Sequence, residues 1–220
     1  MLNQTSLKKI FSEERMQRYF DAHEGDCRKA ALHYQCNMEL AESFYPSIAV
    51  FEVALRNAIN RELTVSTGRN DWYDSPLFGE PAMRKLHNYI NQAKKHIDDR
   101  KELLSSDRVV AELTLGFWVT LFNSEYERKL WQALRRAFRH MPHSKKQRQN
   151  VSAPLNLLRN FRNRIFHHEP ICWNIDEVRI IHEKMTTVIG WVDSDIPMWI
   201  ASFDRFESVA ESIEKRMGWK

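Results

Sequence analysis

Apolar residues recur along this chain at three- and four-residue intervals, and no stretch alternates convincingly. The clearest run is Ile48, Phe51, Val53, Ala54, Leu55, Ala58, Ile59 and Leu63. At about 100° per residue that spacing lays the side chains along one face of a helix, whereas a strand needs a period of two. Six Gly and seven Pro punctuate 220 residues, and they fall between the periodic runs or in the first turn of one. That is the punctuation of an all-helical chain, so the spacing predicts an all-α fold.

Taken in order, helices are expected over Leu7–Ala22, with Ser12 as an alternative start, and over Cys27–Ser43. Pro46 marks a kink or new start before the run from Ile48, which the Thr67–Asn70 segment ends. Asp71–Gly79 reads as an irregular aromatic loop. Pro81 opens a helix to about Ile97. A continuous helix capped by Asp107 and running through Phe122 is apolar on nearly all sides and reads as the central core helix. Its Phe117 and Trp118 read as core. Ser124 is expected to cap a further helix with Arg135, Arg136 and Arg139 in its last turn, matching the helix dipole. His140–Gln149 reads as a basic linker. Asn174 caps a helix through Ile189, with Glu177 in capping-box position, and a last helix spans Pro197–Met217.

The length suits one domain with a sizeable core. No apolar run approaches the ~20 residues of a membrane span, and MLNQTSLKK lacks the apolar centre of a signal peptide. Cys27, Cys36 and Cys172 are odd in number and lack CxxC spacing. They read as reduced thiols, not as a disulfide frame or zinc site, so a cytoplasmic location is expected. No cofactor or metal is implied.

Charge is uneven. Arg128 to Arg164 holds eleven of the 33 basic residues and none of the 29 acidic ones, leaving 22 basic against 29 acidic elsewhere. Such a block is an electrostatic footprint for a polyanion. The alternative is a solvated helix surface, although exposed helices usually mix signs. Within and beside the block lies Leu155–Ile171, LNLLRNFRNRIFHHEPI. Ser152 is its expected N-cap, Pro154 fits a first turn, and Pro170 stops it. Leu155, Leu158, Ile165 and Phe166 form an apolar face; Arg159, Arg162, Asn163, Arg164, His167 and His168 exceed what packing needs.

An Arg five residues before a His occurs four times: Arg18 and His23, Arg28 and His33, Arg135 and His140, Arg162 and His167. Spacing alone therefore selects nothing. The last pair differs in having Asn163 after the Arg, a doubled His, a Pro stop and the acid-free block. Asn163 and His167 lie about 40° apart, so the amide is expected to orient the imidazole. Arg162 lies about 140° from His167, nearer the apolar face, and needs an anionic or hydrogen-bonding partner there. The alternative is that the two histidines only complement the helix C-terminus.

The string RNRIFHHEPI resembles the signature of the HEPN superfamily (higher eukaryote and prokaryote nucleotide-binding domains): Arg, often followed by Asn, then four to six residues before His. The doubled His with Glu-Pro-Ile resembles its Abi-like branch, of abortive-infection proteins, as do FYPSIAVFEVALRNAIN (Phe44–Asn60) and AELTLGFWVTLF (Ala111–Phe122). The resemblance covers roughly Ser43 to Trp191. It implies a HEPN-like helical bundle with flanking helices within a single domain over residues 1–220, a homodimer with a shared cleft, and metal-independent RNA cleavage. It places Arg162, Asn163 and His167 in catalysis. His168, Glu52, Arg56 and Asn57 are candidate cleft-lining residues, the last three having a structural salt-bridge role as the alternative.

The reading is an endoribonuclease of an abortive-infection or toxin-type phage-defence system. RNA supplies its own 2′-hydroxyl nucleophile. His167 moves protons near neutral pH and Arg162 grips phosphate. Arg135, Arg136, Arg139, Lys145, Lys146, Arg148, Arg159 and Arg164 are the candidate RNA-binding residues, and an antitoxin, protein or RNA, is a candidate partner. The rivals are an inactive module that binds RNA or a nucleotide, and a structural dimerisation bundle.

Overall fold

The computed structural model describes residues 3–219. Among these described residues thirteen α-helices follow one another: α1 (Gln4–Phe11), α2 (Glu13–Ala22), α3 (Cys27–Ser43), α4 (Tyr45–Thr67), α5 (Pro76–Gly79), α6 (Arg84–Asp99), α7 (Ser106–Glu112), α8 (Leu115–Thr120), α9 (Glu127–Leu134), α10 (Arg148–Phe166), α11 (Ile175–Val192), α12 (Ile196–Ala201) and α13 (Phe206–Met217). Short 3₁₀ turns punctuate them, and no strand occurs among the described residues. The protein is all-α. Its contacts divide it into two compact units, one of residues 1–46, 162–183 and 202–220, the other of residues 47–161 and 184–201. The span expected as the bundle core, 43–191, is shared between them.

In the first unit, Ser12 both ends α1 and starts α2. Its φ is +70° and its hydroxyl accepts from the Arg15 N–H at 3.3 Å. The alternative start at Ser12 is therefore the correct one. Asp26 caps α3, accepting from the Arg28 and Lys29 N–H groups. The α1–α2–α3 core holds Leu7, Met16, Tyr19, Phe20, Ala30 and Tyr34, with Phe11 and Trp173 packed against it. α3 also packs on α13. There Glu214, nearly buried, takes two Arg179 bonds of 2.9 Å each, and Glu39 pairs with Arg216.

In the second unit, the expected aromatic loop is compact rather than irregular. Trp72 is fully buried and its indole N–H donates to the Asn60 amide oxygen at 2.7 Å. Rings of Tyr73, Phe78, Phe117 and Trp118 lie 5.1 to 6.1 Å from it.

Pro81 opens a 3₁₀ turn, with α6 starting only at Arg84, and four other boundaries differ from expectation. The Asp107–Phe122 helix is two helices. Ser105, not Asp107, caps α7, and Thr114 caps α8 by accepting from the Phe117 N–H at 3.4 Å. The Leu113 carbonyl, freed at the break, accepts from the Trp118 indole at 3.0 Å. Ser124 begins a 3₁₀ turn rather than capping a helix, and Arg139 lies beyond the helical residues. The last helix breaks after Ala201. Asp204 accepts from the Phe206 N–H at 2.8 Å and from His182 at 2.7 Å, so a carboxylate starts α13 afresh. Finally, α10 begins at Arg148, so Ser152 is not its N-cap and Pro154 sits in its interior. The carbonyl that loses a partner to Pro154 belongs to Asn150, which is exposed, so water can satisfy it.

Replacing Trp72 with Ala empties a fully enclosed site and should cost about 3–5 kcal/mol in denaturant unfolding. Asn60→Ala keeps the volume of the tryptophan but strands its N–H, and should cost about 1–3 kcal/mol. A loss under half a kcal/mol in both would contradict this packing.

Candidate active site and basic face

The end of α10 is a helix stop built from five residues. The His168 N–H bonds the Ile165 carbonyl at 3.0 Å and the Glu169 N–H bonds the Arg164 carbonyl at 2.8 Å. His168 itself sits at φ +56°. This is the Schellman arrangement, whose left-handed position usually belongs to Gly. A histidine there accepts backbone strain. Arg164 locks the turn from outside, donating to the Pro170 carbonyl at 2.6 Å and pairing with Glu169 at 3.5 Å.

His167 is exposed in this turn, and its N–H bonds the Asn163 carbonyl at 2.9 Å. The expected bond from the Asn163 amide to the imidazole does not form. Among the described residues the two are linked through backbone only. Arg162 is half-buried, and its guanidinium lies over the Phe166 ring at 4.0 Å. That cation–π contact, one helical turn away, braces the charge.

Four residues missed by sequence reasoning hold the segment after the turn. The buried Asn37 side-chain oxygen accepts from the N–H groups of both Ile171 and Cys172, at 2.6 and 3.0 Å. One turn earlier on α3, His33 meets the Cys172 carbonyl at 2.6 Å and His23 at 3.0 Å. A carbonyl only accepts, so His33 Nε2 donates to it and Nδ1 accepts the hydrogen bond from His23 Nε2–H. Arg15 of α2 donates to the His168 carbonyl, and Arg18 lies over the Trp173 ring at 5.2 Å. The available signal was their spacing: Arg15 and Arg18, like His33 and Asn37, each share a helix face. Their partners are too distant in sequence for spacing to name.

Cys172 is buried and its thiol is pushed up to about 12, by burial first and the Cys36 thiol second. Burial likewise raises Cys36. Neither is a thiolate nucleophile at neutral pH. Among the described residues no three His, Cys, Asp or Glu side chains are grouped to hold a metal ion.

The other candidate residues belong to the second unit. Glu52 and Arg56 are half-buried on α4 and Asn57 is exposed, its side-chain oxygen 3.4 Å from Arg56 Nε. Glu62 is buried, with Arg61, Arg136 and Arg139 at 3.5, 3.6 and 3.5 Å from its carboxylate. One negative charge thus gathers three positive ones, each about half exposed. Arg135 and Lys146 are half-buried and Lys145 is exposed. Arg159 is half-buried and reaches the Asn160 side chain at 3.3 Å. Arg148 has a structural task as well. It pairs with Glu127 and donates to the Phe122 carbonyl, both at 2.9 Å, so its removal costs stability whatever it does for a ligand.

No protein-family model, curated protein or solved structure matches the chain. No helix among the described residues is long and apolar enough to cross a membrane.

Two expectations follow for the turn. His168→Gly relieves the positive φ and should raise stability by roughly 0.5–1 kcal/mol in denaturant melts; a loss would contradict the Schellman geometry. His33 has its proton affinity lowered from the ordinary 6.5, by burial first, with the Cys172 carbonyl opposing and His23 adding to the shift. His23 is lowered by burial first and then by Lys29. Between the lowered values and 6.5 the unfolded chain binds more protons, so stability is complete above 6.5 and declines as pH falls below it. His33→Gln, which keeps a donor for Cys172 but cannot titrate, should flatten that decline in thermal melts between about pH 7.5 and 5. An unchanged slope would assign the dependence elsewhere.

Proposed function

We propose that this chain is a metal-independent endoribonuclease of the HEPN, Abi-like kind, acting in the cytoplasm in an abortive-infection or toxin-type phage defence. The observation that carries the reading is that one helix end holds both an exposed His167 and Arg162 braced on Phe166. The basic segment that precedes them and the resemblance of RNRIFHHEPI support it.

In this reading Arg162 binds the scissile phosphate and steadies the charge of the pentavalent phosphorane. His167 takes the proton of the neighbouring 2′-hydroxyl as its oxygen bonds to phosphorus. The bond from phosphorus to the 5′ oxygen breaks, and that oxygen leaves with a proton. In-line displacement puts the two proton transfers on opposite sides of phosphorus, so one imidazole serves one of them. A homodimer supplies the second. Exposed Phe166, 45 % accessible, is apolar surface beside the site that such pairing would cover. An antitoxin, protein or RNA, would act by occupying this cleft.

One observation favours a second reading, an inactive module that binds RNA without turnover: no side chain orients the His167 ring by the expected Asn163 bond. Cleavage decides between them. Purified dimer, verified by light scattering, should cut RNA in EDTA and leave a 2′,3′-cyclic phosphate, or its hydrolysed monophosphate, opposite a free 5′-hydroxyl. His167→Ala should lose roughly 10²–10⁴-fold in rate, and Arg162→Ala a comparable factor, with RNA binding kept. His140→Ala, which shares the Arg spacing, should cut normally; His33 is unsuitable as a control because it holds the buried Cys172 carbonyl. Products with 5′-phosphate that need magnesium, or wild-type rates in His167→Ala, would sink the mechanism.

A further inference from the structure

A concave site of about 270 Å³ opens on the second unit between α9 and the start of α10, lined by Glu127, Trp131, Lys146, Gln147, Arg148 and Gln149. We infer that it is a binding subsite for one unpaired nucleobase of single-stranded RNA, with Trp131 as the stacking wall. The inference rests on the RNA reading above but not on catalysis.

Each part of the site has a chemical use. Its size falls just under the ~300 Å³ at which pockets for drug-sized ligands begin, so it takes a single planar ring system. Trp131 is half-buried, which fixes the indole while leaving surface for a base; stacking on such a platform tolerates any base because all present a π face. The floor is rigid. Arg148 is held by Glu127 and by the Phe122 carbonyl, each at 2.9 Å, so its charge is largely spent inside the protein. Lys146 is the lining cation suited to a backbone phosphate. The Gln149 amide nitrogen donates to the Gln147 side-chain oxygen at 3.2 Å. That bond leaves the Gln149 oxygen as acceptor and the Gln147 nitrogen as donor, the pair a base edge requires. A lipid chain would need a deeper apolar pocket. An acidic peptide would meet Glu127 and only one cation with charge to spare.

The probe is a short uridine oligomer with 2′-methoxy riboses, which the proposed chemistry cannot cut, read by fluorescence anisotropy. Trp131→Ala should weaken binding roughly 5- to 150-fold and leave the salt slope unchanged, because no phosphate contact is lost. Trp131→Tyr should recover most of the loss. Lys146→Gln should instead lower the slope by about one. An abasic oligomer of the same backbone should bind wild type and Trp131→Ala equally. A 5-iodouridine oligomer, irradiated with the wild-type protein, should crosslink to Trp131, which tests the site even if the variants misfold. Equal loss with and without bases, no loss in Trp131→Ala, or a crosslink mapped elsewhere overturns the subsite and leaves the nuclease reading standing. A Trp131 crosslink in protein that never cuts unmodified RNA supports the subsite and sinks the nuclease reading. Absence of RNA binding in the wild type removes both.

Discussion

Two backbone N–H groups, those of Ile171 and Cys172, share the side-chain oxygen of Asn37, and the candidate catalytic turn depends on that arrangement. Both residues are buried, and backbone donors taken out of water must be paired or cost about 1–3 kcal/mol each. With His33 serving the Cys172 carbonyl, α3 takes up the polar backbone on which the chain leaves the turn. Burial of Ile171 and Cys172 therefore anchors to α3 the segment into which the turn leads. Arg15 and Arg18 then reach the same segment from α2, since α2 packs on α3. A site that looks like one short motif is held by three helices.

Buried carboxylates organise charge differently in the two units. Glu214 is saturated by Arg179, which also pairs with Glu207 and Asp176. Those acids balance the guanidinium and the cluster is structural. Glu62 has the opposite balance, one carboxylate among Arg61, Arg136 and Arg139. A charge that must be compensated on burial here recruits more cations than it neutralises. The surplus faces solvent, where it attracts an anion but contributes little to stability. The acid-free block is therefore not uniform. Arg136 and Arg139 share a carboxylate, Arg148 braces a carbonyl, Arg164 locks a turn, and Lys145 and Lys146 are the members best suited to a ligand.

The sequence by itself determined the all-α class and those boundaries that local chemistry decides. α3 runs from Cys27 to Ser43 because Asp26 caps its first turn, and α11 starts at Ile175 because Asn174 accepts from the Glu177 N–H. A cap lies within three residues of what it caps, so adjacent letters encode it. The cluster of Arg162, Asn163, His167 and His168 was legible for the same reason: one helix end carries them all. Tertiary structure decided the rest. The breaks at Leu113 and after Ala201 interrupt patterns that continue to look helical. At the first break the freed Leu113 carbonyl is taken by the Trp118 indole, and at the second His182 of α11 reaches Asp204 across 22 residues. The φ of His168, the Arg162 perch on Phe166, and the roles of Asn37 and His33 were also hidden. Asn37 meets Ile171 across 134 residues of sequence and His33 meets Cys172 across 139, and over such distances spacing carries no geometric information. Pairing of buried polar groups is a property of the closed core, so only the folded chain specifies it.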